Sequence, residues 1–192
     1  MGRANLSSAV LIAAAADLAD REGFDVVTLS ALARRFGVRT ASLYSHVRDR
    51  SALLDGVHEL ALGELADRVA VAVAGRSGRA ALVALADAHR DYARQCPGRW
   101  AALQRPAAPS TVESAGAGRL VALTMAMLRG YQLPEDELVH AVRLLGSTVN
   151  GFLALTANGS FGHREPPADT SWQRALEALD TAFRSWPVER TS

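Results

Sequence analysis

The stretch Thr28–Arg50 constrains the fold of this 192-residue chain more than any other part, because it joins two short helical patterns through a tight turn. Gly37 separates the patterns and predicts the end of the first helix, since glycine readily adopts the left-handed conformation found there. The second pattern pairs Leu43 with Val47 on an apolar face and leaves a polar, aromatic and basic face. Such a helix can offer donors to bases and phosphates in the major groove, which is typical of a helix-turn-helix motif. The apolar face of the first helix consists of Leu29, Leu32, Ala33 and Phe36.

The charge of this stretch is strongly positive although the chain as a whole is nearly neutral. Between Ser30 and Arg50 there are five arginines and one acid, Asp49, whereas the formal net charge of the chain is +1. A positive surface attracts DNA because the phosphates release condensed counterions when protein cations replace them. The residues alone leave an alternative open, a solvated helical hairpin in an all-α protein.

The same stretch resembles the tetracycline-repressor (TetR) family of bacterial transcriptional regulators. The resemblance covers about the first third of the chain, and the remainder is similar in length and helical character. Two positions depart from the family pattern: Arg39 replaces a small polar residue, and Arg50 replaces the usual lysine. The matching residues are Thr28, Leu32-Ala33, Gly37-Val38 and the run Leu43-Tyr44-x-His46-Val47-x-x-Arg50-x-x-Leu53-Leu54.

The resemblance implies a DNA-binding regulator whose partners are a double-stranded operator, a small effector and a second copy of the chain. Phosphate contacts are expected from Thr28, Tyr44 and Arg50. Base contacts are expected from Arg39, Thr40 and Ser42, and His46 fits either role. Thr28 is also a suitable helix cap, and the two roles are compatible because a helix N-terminus binds phosphate readily.

The composition predicts an all-α protein, because 49% of the residues are apolar and Leu and Ala outnumber β-branched types. Apolar periodicity predicts about nine helices. Suitable N-caps are Ser7 or Ser8 for the first helix, Thr28 or Ser30 for the second and Asp49 for the fourth. The predicted helices cover residues 8–22, 28–36, 39–47, 50–74, 79–95, 100–104, 112–129 or 118–129, 134–157 and 170–186.

A break at Gly75–Gly78 predicts the boundary between two functional domains. Residues 1–50 form a three-helix, helix-turn-helix DNA-binding domain, and residues 75–192 form a helical ligand-binding and dimerisation domain. The helix at about residues 50–74 links them. In the family, the corresponding helix joins the DNA-binding head to the body, so that movement in the body tilts the head.

Two C-terminal helices carry apolar residues at the spacing of a coiled-coil seam. In the family, such helices form a four-helix dimer interface, which would place two recognition helices on a palindromic site. The alternative is that both seams pack within the monomer. The seam residues are Leu138, Val142, Leu145, Val149, Trp172, Leu176, Leu179 and Phe183.

The resemblance also implies a pocket for a small effector among the middle helices. Aromatic residues and Met with a few polar groups are typical of a pocket lining, although each is also a common core residue. The apolar character of this part of the chain favours a mostly hydrophobic effector. The candidate lining residues are Tyr92, Trp100, Leu103, Met127, Tyr131, Asn150 and Phe152.

The segment Leu145–Leu155, followed by Gly159 and Gly162, resembles a WHG-like C-terminal domain that occurs in this family. Members with that domain carry Trp and His before the glycine. This chain has Val149 or Thr148 and Asn150 there, so no ligand is transferred from those members.

Two other classes of function compete with the regulator. Ser51, Asp55 and His58 share one helix face, but parallel side chains do not converge as a catalytic triad must. No phosphate-binding loop, HExxH motif or paired-cysteine site occurs, so we expect neither an enzyme nor a metal or cofactor site. The second alternative is a helical dimeric interaction module without specific DNA binding.

The cysteine count and the hydropathy indicate the environment in which the protein works. Cys96 is the only cysteine, which excludes an intramolecular disulfide and leaves a buried thiol or a sensor thiol. The apolar run Ala9–Ala16 is shorter than a membrane segment and leads directly into the DNA-binding motif. Because no run approaches the roughly 18 apolar residues of a membrane span, we expect a cytoplasmic protein.

Overall fold

The computed structural model describes residues 6–187, and every regular element in that range is helical. The predicted all-α fold is therefore confirmed. Short 3₁₀ turns at Phe24–Val26, Thr40–Leu43 and Glu135–Glu137 add to the α-helices. The α-helices are α1 (Ser8–Glu22), α2 (Leu29–Phe36), α3 (Arg50–Val73), α4 (Gly78–Gln95), α5 (Pro97–Leu103), α6 (Pro109–Val112), α7 (Ala115–Arg129), α8 (Leu138–Ala157) and α9 (Ala168–Arg184).

Local side-chain chemistry sets the ends of the N-terminal helices as predicted. The Ser7 hydroxyl accepts the Val10 N–H at 3.3 Å, and the Thr28 hydroxyl accepts the Ala31 N–H at 3.1 Å. The Asp49 carboxylate accepts the Ala52 N–H at 2.8 Å and begins α3. Gly37 ends α2 with φ of 65°, a left-handed conformation that costs glycine little.

Several predicted helix limits need correction. The segment after Gly37 is a 3₁₀ turn at Thr40–Leu43 followed by a turn, because the Ser45 hydroxyl donates to the Ser42 carbonyl and competes with regular helix bonding. The helix α8 begins at Leu138, since the acidic residues after Pro134 form a 3₁₀ turn. The helix α9 begins after Pro167, so Thr170 and Ser171 lie inside it.

The described chain packs as two compact units. Unit 1 contains residues 6–66 and 92–120, and unit 2 contains residues 67–91 and 121–187. This division follows packing, whereas the functional division into residues 1–50, 50–74 and 75–192 stays a prediction. The core of unit 1 buries Leu11, Ala15, Leu18, Leu32, Leu43, Leu53, Leu54, Val57 and Ala102.

Within unit 1, α5 lies directly against the end of α1. A Cβ atom added to Gly98 would overlap the backbone of Ala19 and Asp20. The Arg99 side chain donates to Asp20 at 2.7 Å and to Asp17 at 2.8 Å, and its backbone N–H donates to Asp20 at 2.8 Å. Backbone contact and charge pairing therefore fix this crossing together.

We expect Gly98→Ala to lower the free energy of unfolding by at least about 2 kcal/mol, because the added methyl group meets backbone atoms that cannot move aside. Urea denaturation followed by circular dichroism measures the change. Gly63→Ala is the matched control, since a Cβ there meets open space. The control should be neutral or slightly stabilising in a helix. Equal stability of both variants would contradict the close crossing at Gly98.

The residues of the predicted dimer seam lie in unit 2, where α8 and α9 pack on each other within one chain. Val142 is half-buried and the other seam residues are buried, which favours the monomer-core alternative, while the dimer interface itself stays a prediction. Trp172 donates from Nε1 to Asp87 at 2.8 Å and fixes α9 in this core. The buried seam residues are Leu138, Leu145, Val149, Trp172, Leu176, Leu179 and Phe183.

The segment Glu135–Ala157, which contains α8, is also long and apolar enough to cross a membrane by length and composition. The segment passes on its mean hydropathy, whereas no uninterrupted apolar run of that length occurs in it, because His140, Arg143 and Asn150 interrupt the sequence. Only 28% of the most apolar window of this segment is buried. Its surface includes Val139, Leu144 and Leu155, which are exposed. The helix is thus apolar on its buried face and also on part of its exposed face.

Candidate DNA-binding surface

The turn between α2 and the Thr40–Leu43 segment holds the candidate recognition residues in place. The N–H of Gly37 donates to the Arg34 carbonyl at 3.2 Å, and that of Val38 donates to the Ala33 carbonyl at 3.0 Å. Leu43 and Val47 are buried in the core of unit 1, as their spacing predicts. These anchors fix which side of the short segment faces outward.

Most of the predicted base-contacting and phosphate-contacting side chains lie on that outward side. Arg39 and Ser42 are exposed, and Tyr44 has 56% of its surface exposed. Thr40 and His46 are partly buried at the edges of the same surface. The surface therefore presents a guanidinium, hydroxyls, a phenol and an imidazole beside one another in sequence.

Thr28 is placed for both of its predicted roles. Its Oγ1 accepts the Ala31 N–H, and its own O–H stays available as a donor because the residue is only partly buried. The N-terminus of α2 adds the positive end of a helix dipole at the same point. A phosphate contact from Thr28 would thus use its O–H and the N-terminus of α2, which the capping hydrogen bond leaves available.

Arg50 has a structural role that the sequence did not indicate. Its Nε donates to the Val27 carbonyl at 2.7 Å, and its Nη2 is 3.4 Å from the Asp25 carbonyl. The guanidinium thereby ties the start of α3 to the turn that precedes Thr28. Arg50 positions the α2 N-terminus, and any phosphate contact would add to that role.

The basic residues of this surface differ in their availability to DNA. Arg35 pairs with Asp17 at 3.6 Å, and Arg48 donates to Asp49 at 2.8 Å. The pKa of Asp49 is lowered by the Ala52 N–H first and by Arg48 second. Arg34 and Arg39 are exposed and pair with no residue in the described range 6–187. Arg34 is therefore an additional candidate for a phosphate contact. From the sequence alone it contributed only to the net charge of the stretch.

Comparison with known families decides the classification. Residues 11–57 match the family described as "Bacterial regulatory proteins, tetR family", and residues 82–179 match the "Tetracyclin repressor-like, C-terminal domain". The chain belongs to the TetR family of transcriptional regulators. The first match contains the complete surface described above, and the predicted family resemblance is confirmed. The more specific WHG-like assignment of the C-terminal part stays a prediction.

Individual relatives and solved structures are similar to this protein over almost the whole chain. YobS of Bacillus subtilis, an uncharacterized HTH-type transcriptional regulator, is 31% identical over 96% of this chain and 92% of its own length. A protein of unknown function from Rhodococcus sp. RHA1 is 28% identical and covers 93% of each chain, with a TM-score of 0.72. A tetracycline repressor variant from Acinetobacter baumannii, solved with minocycline, shares the fold at 24% identity and a TM-score of 0.72, covering 96% of this chain and 100% of its own.

In this TetR-family chain, the predicted effector-pocket residues are divided between the two units. Tyr92, Trp100 and Leu103 belong to unit 1, where Tyr92 is fully buried and donates to Glu64 at 2.9 Å. Burial, followed by the Glu64 charge, raises the pKa of Tyr92, so its hydroxyl keeps its proton. These contacts give Tyr92 a structural function whether or not a ligand is present.

The other predicted pocket residues, Met127, Tyr131, Asn150 and Phe152, belong to unit 2. Tyr131 donates to Asp180 at 2.7 Å, and Met127 is buried. The ring of Phe152 lies 5.1 Å from that of Trp172. Unit 2 also has an open groove of about 480 Å³, formed by Thr156 and the loop at residues 159–168, and none of the predicted residues lines it.

The triad-like residues of α3 do not form a hydrogen-bonded chain. Asp55 pairs with Arg105 at 3.3 Å, and Ser51 is exposed. His58 is buried, and its Nδ1 has no hydrogen-bond partner in the described part of the chain. His58 lies on α3, where the charges of Arg105, Asp55 and Glu59 act on its imidazole.

Proposed function

We propose that this TetR-family regulator is a ligand-responsive repressor that binds a palindromic operator as a homodimer and is released by a small, mostly apolar effector. The observation that carries the proposal is the outward side of the Thr40–Leu43 segment. It presents Arg39 without an ion-pair partner in the described range, while Leu43 and Val47 hold the backbone in the core. A surface of this kind has donors ready for the major groove.

The contacts with DNA divide into two groups. Arg39, Thr40 and Ser42 lie at the start of the recognition segment and would contact base edges. Phosphate contacts would come from residues at its borders, where the α2 N-terminus and the phenol lie. This second group comprises Thr28, Arg34 and Tyr44, with His46 able to join either group and Arg50 acting mainly through the backbone that it holds.

A second copy of the chain would pack on the exposed side of α8. Val139, Leu144 and Leu155 are exposed on that helix, with Leu144 and Leu155 about three turns apart on one side of it, and exposed apolar side chains favour a protein partner. A Cβ at Gly151 would meet no atom within 4 Å, so the helix can approach a partner closely at that point. We propose this exposed side of α8, rather than the buried seam, as the dimer interface.

We expect Leu144→Glu to convert the dimer to a monomer, because a symmetric interface would bury the added carboxylate of each copy. Light scattering after gel filtration measures the mass. The control is Val71→Glu, which places the same charge at an exposed valine of α3 and should leave the dimer intact. A dimeric Leu144→Glu protein would show that the interface lies elsewhere.

Effector binding is supported by membership of the TetR family and by a related structure. The tetracycline repressor variant from Acinetobacter baumannii, which has this fold, was solved in complex with minocycline. The apolar character of the C-terminal part of the chain makes a mostly apolar ligand the best match. We place the protein in the cytoplasm, where both operator DNA and the effector are available.

A gel-shift titration tests the proposal with DNA from upstream of the protein's own gene. The competitor is scrambled DNA of equal length at physiological salt, because phosphate contacts alone give binding that salt weakens steeply. A competitor-resistant shift with a palindromic footprint supports the repressor. Weak, salt-sensitive binding to every sequence in a genome-wide selection would support the interaction module instead.

A further inference from the structure

His58 is a buried polar group of unit 1 that the DNA-binding surface does not use. It lies on α3, 5% of its surface is exposed, and its buried Nδ1 has no hydrogen-bond partner within residues 6–187. Buried polar atoms are nearly always hydrogen-bonded, because leaving one unpaired lowers the stability of the fold. The imidazole nitrogen at this position is therefore free to accept a hydrogen bond from a ligand.

The segment at residues 104–112 covers the turn of α3 that carries His58. Arg105 is 3.3 Å from the Asp55 carboxylate, and the Thr111 hydroxyl is 3.4 Å from the Glu59 carboxylate. Asp55 and Glu59 lie one helical turn apart, and His58 lies between them in the sequence. Both contacts are longer than the usual hydrogen-bond distance, so a ligand could replace them at low cost.

This segment also contacts the turn that precedes the DNA-binding helix α2. The Arg105 guanidinium lies 5.8 Å from the centre of the Phe24 ring. Phe24 begins the 3₁₀ turn at Phe24–Val26, and Arg50 holds the carbonyl groups of Asp25 and Val27 in that turn. A displacement of Arg105 would therefore reach Thr28 and the DNA-binding surface through contacts inside unit 1.

The surroundings of His58 define the chemistry of a suitable ligand. Burial, followed by the charge of Arg105, lowers the pKa of His58, so the imidazole is neutral and can accept a hydrogen bond. Two carboxylates and one guanidinium surround it, and this net negative charge disfavours an anion. Arg105 already lies over an aromatic ring and can stabilise another ring in the same way.

We propose that His58 is the polar anchor of the effector site, and that the effector is a neutral aromatic alcohol. Its hydroxyl donates to Nδ1 of His58, and its ring lies against the Arg105 guanidinium. Occupation separates Arg105 from Asp55 and frees the Phe24–Val26 turn. This inference rests on the proposed effector-controlled repression and adds the location and chemical class of the effector.

Calorimetry without DNA tests the anchor with 2-naphthol and with 2-methoxynaphthalene, which has the same rings but cannot donate. We expect 2-naphthol to bind the wild-type protein about tenfold more tightly than the ether, from one hydrogen bond to an otherwise unpaired group. His58→Phe keeps a ring of similar shape and should bind both compounds equally. No binding of 2-naphthol to the wild type, or unchanged preference in His58→Phe, would overturn the proposal.

A second measurement needs no variant. The ¹⁵N resonance of His58 Nδ1 should move on addition of 2-naphthol and stay in place with the ether, whereas equal responses would contradict the anchor. Operator release then separates this inference from the proposed function. If other compounds release the operator from wild type and His58→Phe alike, the repressor stands and the anchor at His58 fails. If the wild type binds no operator, the repressor fails, while calorimetry still decides the anchor.

Discussion

Arg99→Met is expected to lower the free energy of unfolding by about 3 kcal/mol, because it leaves a cluster of carboxylates without their shared cation. The Arg99 guanidinium contacts Asp17, Asp20 and Glu64 at 2.8, 2.7 and 3.5 Å. Only 17% of the Arg99 side chain and 14% of that of Asp20 are exposed, so solvent screens the inner part of the cluster weakly. Asp17 and Glu64 are more exposed, so the expected loss of unfolding free energy lies at the lower end of the range for broken buried ion pairs.

Urea denaturation at neutral pH measures this loss, and Arg79→Met provides the matched control. Arg79 pairs with Glu177 at 3.4 Å, but both side chains are nearly half exposed. A pair of that kind contributes about 1 kcal/mol or less. Arg99→Lys should recover only part of the stability, because an ammonium cannot reproduce the planar donor set. Equal losses for Arg99→Met and Arg79→Met would show that the cluster adds nothing beyond a surface pair.

The features that the sequence predicts well are those decided by neighbouring residues. The Thr28 cap, the left-handed Gly37 and the pairing of Leu43 with Val47 all depend on groups within four positions of one another. Each was confirmed in the structure. The same local logic predicts the all-α fold, since a period of 3.6 residues identifies a helix without reference to its neighbours.

The dimer seam is an example of a feature that local patterns predict only in part. The spacing of Trp172, Leu176 and Phe183 correctly indicates that one face of α9 is covered, but periodicity does not identify what covers it. The covering residues come from the same chain, and the exposed apolar residues of α8, which include Leu144, are a different set. An amphipathic pattern therefore predicts a buried stripe with more certainty than it predicts a partner.

Contacts between residues far apart in the chain could also not be predicted from the sequence. Arg99 reaches Asp17 across 82 positions, and Arg50 reaches the Val27 carbonyl across 23 positions. Family resemblance gave Arg50 a phosphate contact, whereas the fold uses its donors to hold the backbone before Thr28. The orphaned nitrogen of His58 depends on the same kind of information, because only the folded chain shows what lies beside it.

Arg39→Ala is expected to weaken binding to the cognate operator by about tenfold to a hundredfold, the discrimination that one good base contact provides. Its affinity for scrambled DNA should change much less. Tyr44→Phe removes only the hydroxyl of a side chain that is 56% exposed, and its loss of a phosphate contact should weaken all sequences alike. The two variants therefore separate base contacts from phosphate contacts on one surface.

Fluorescence anisotropy with matched and scrambled operators at two salt concentrations measures both effects. Arg34→Ala is the control for lost positive charge, because Arg34 is equally exposed and unpaired within residues 6–187 but lies at the end of α2. It should reduce the salt dependence without changing the ratio of specific to nonspecific affinity. If Arg39→Ala behaves in the same way and lowers both affinities equally, Arg39 contacts phosphate, and the bases are read by Thr40, Ser42 or His46 instead.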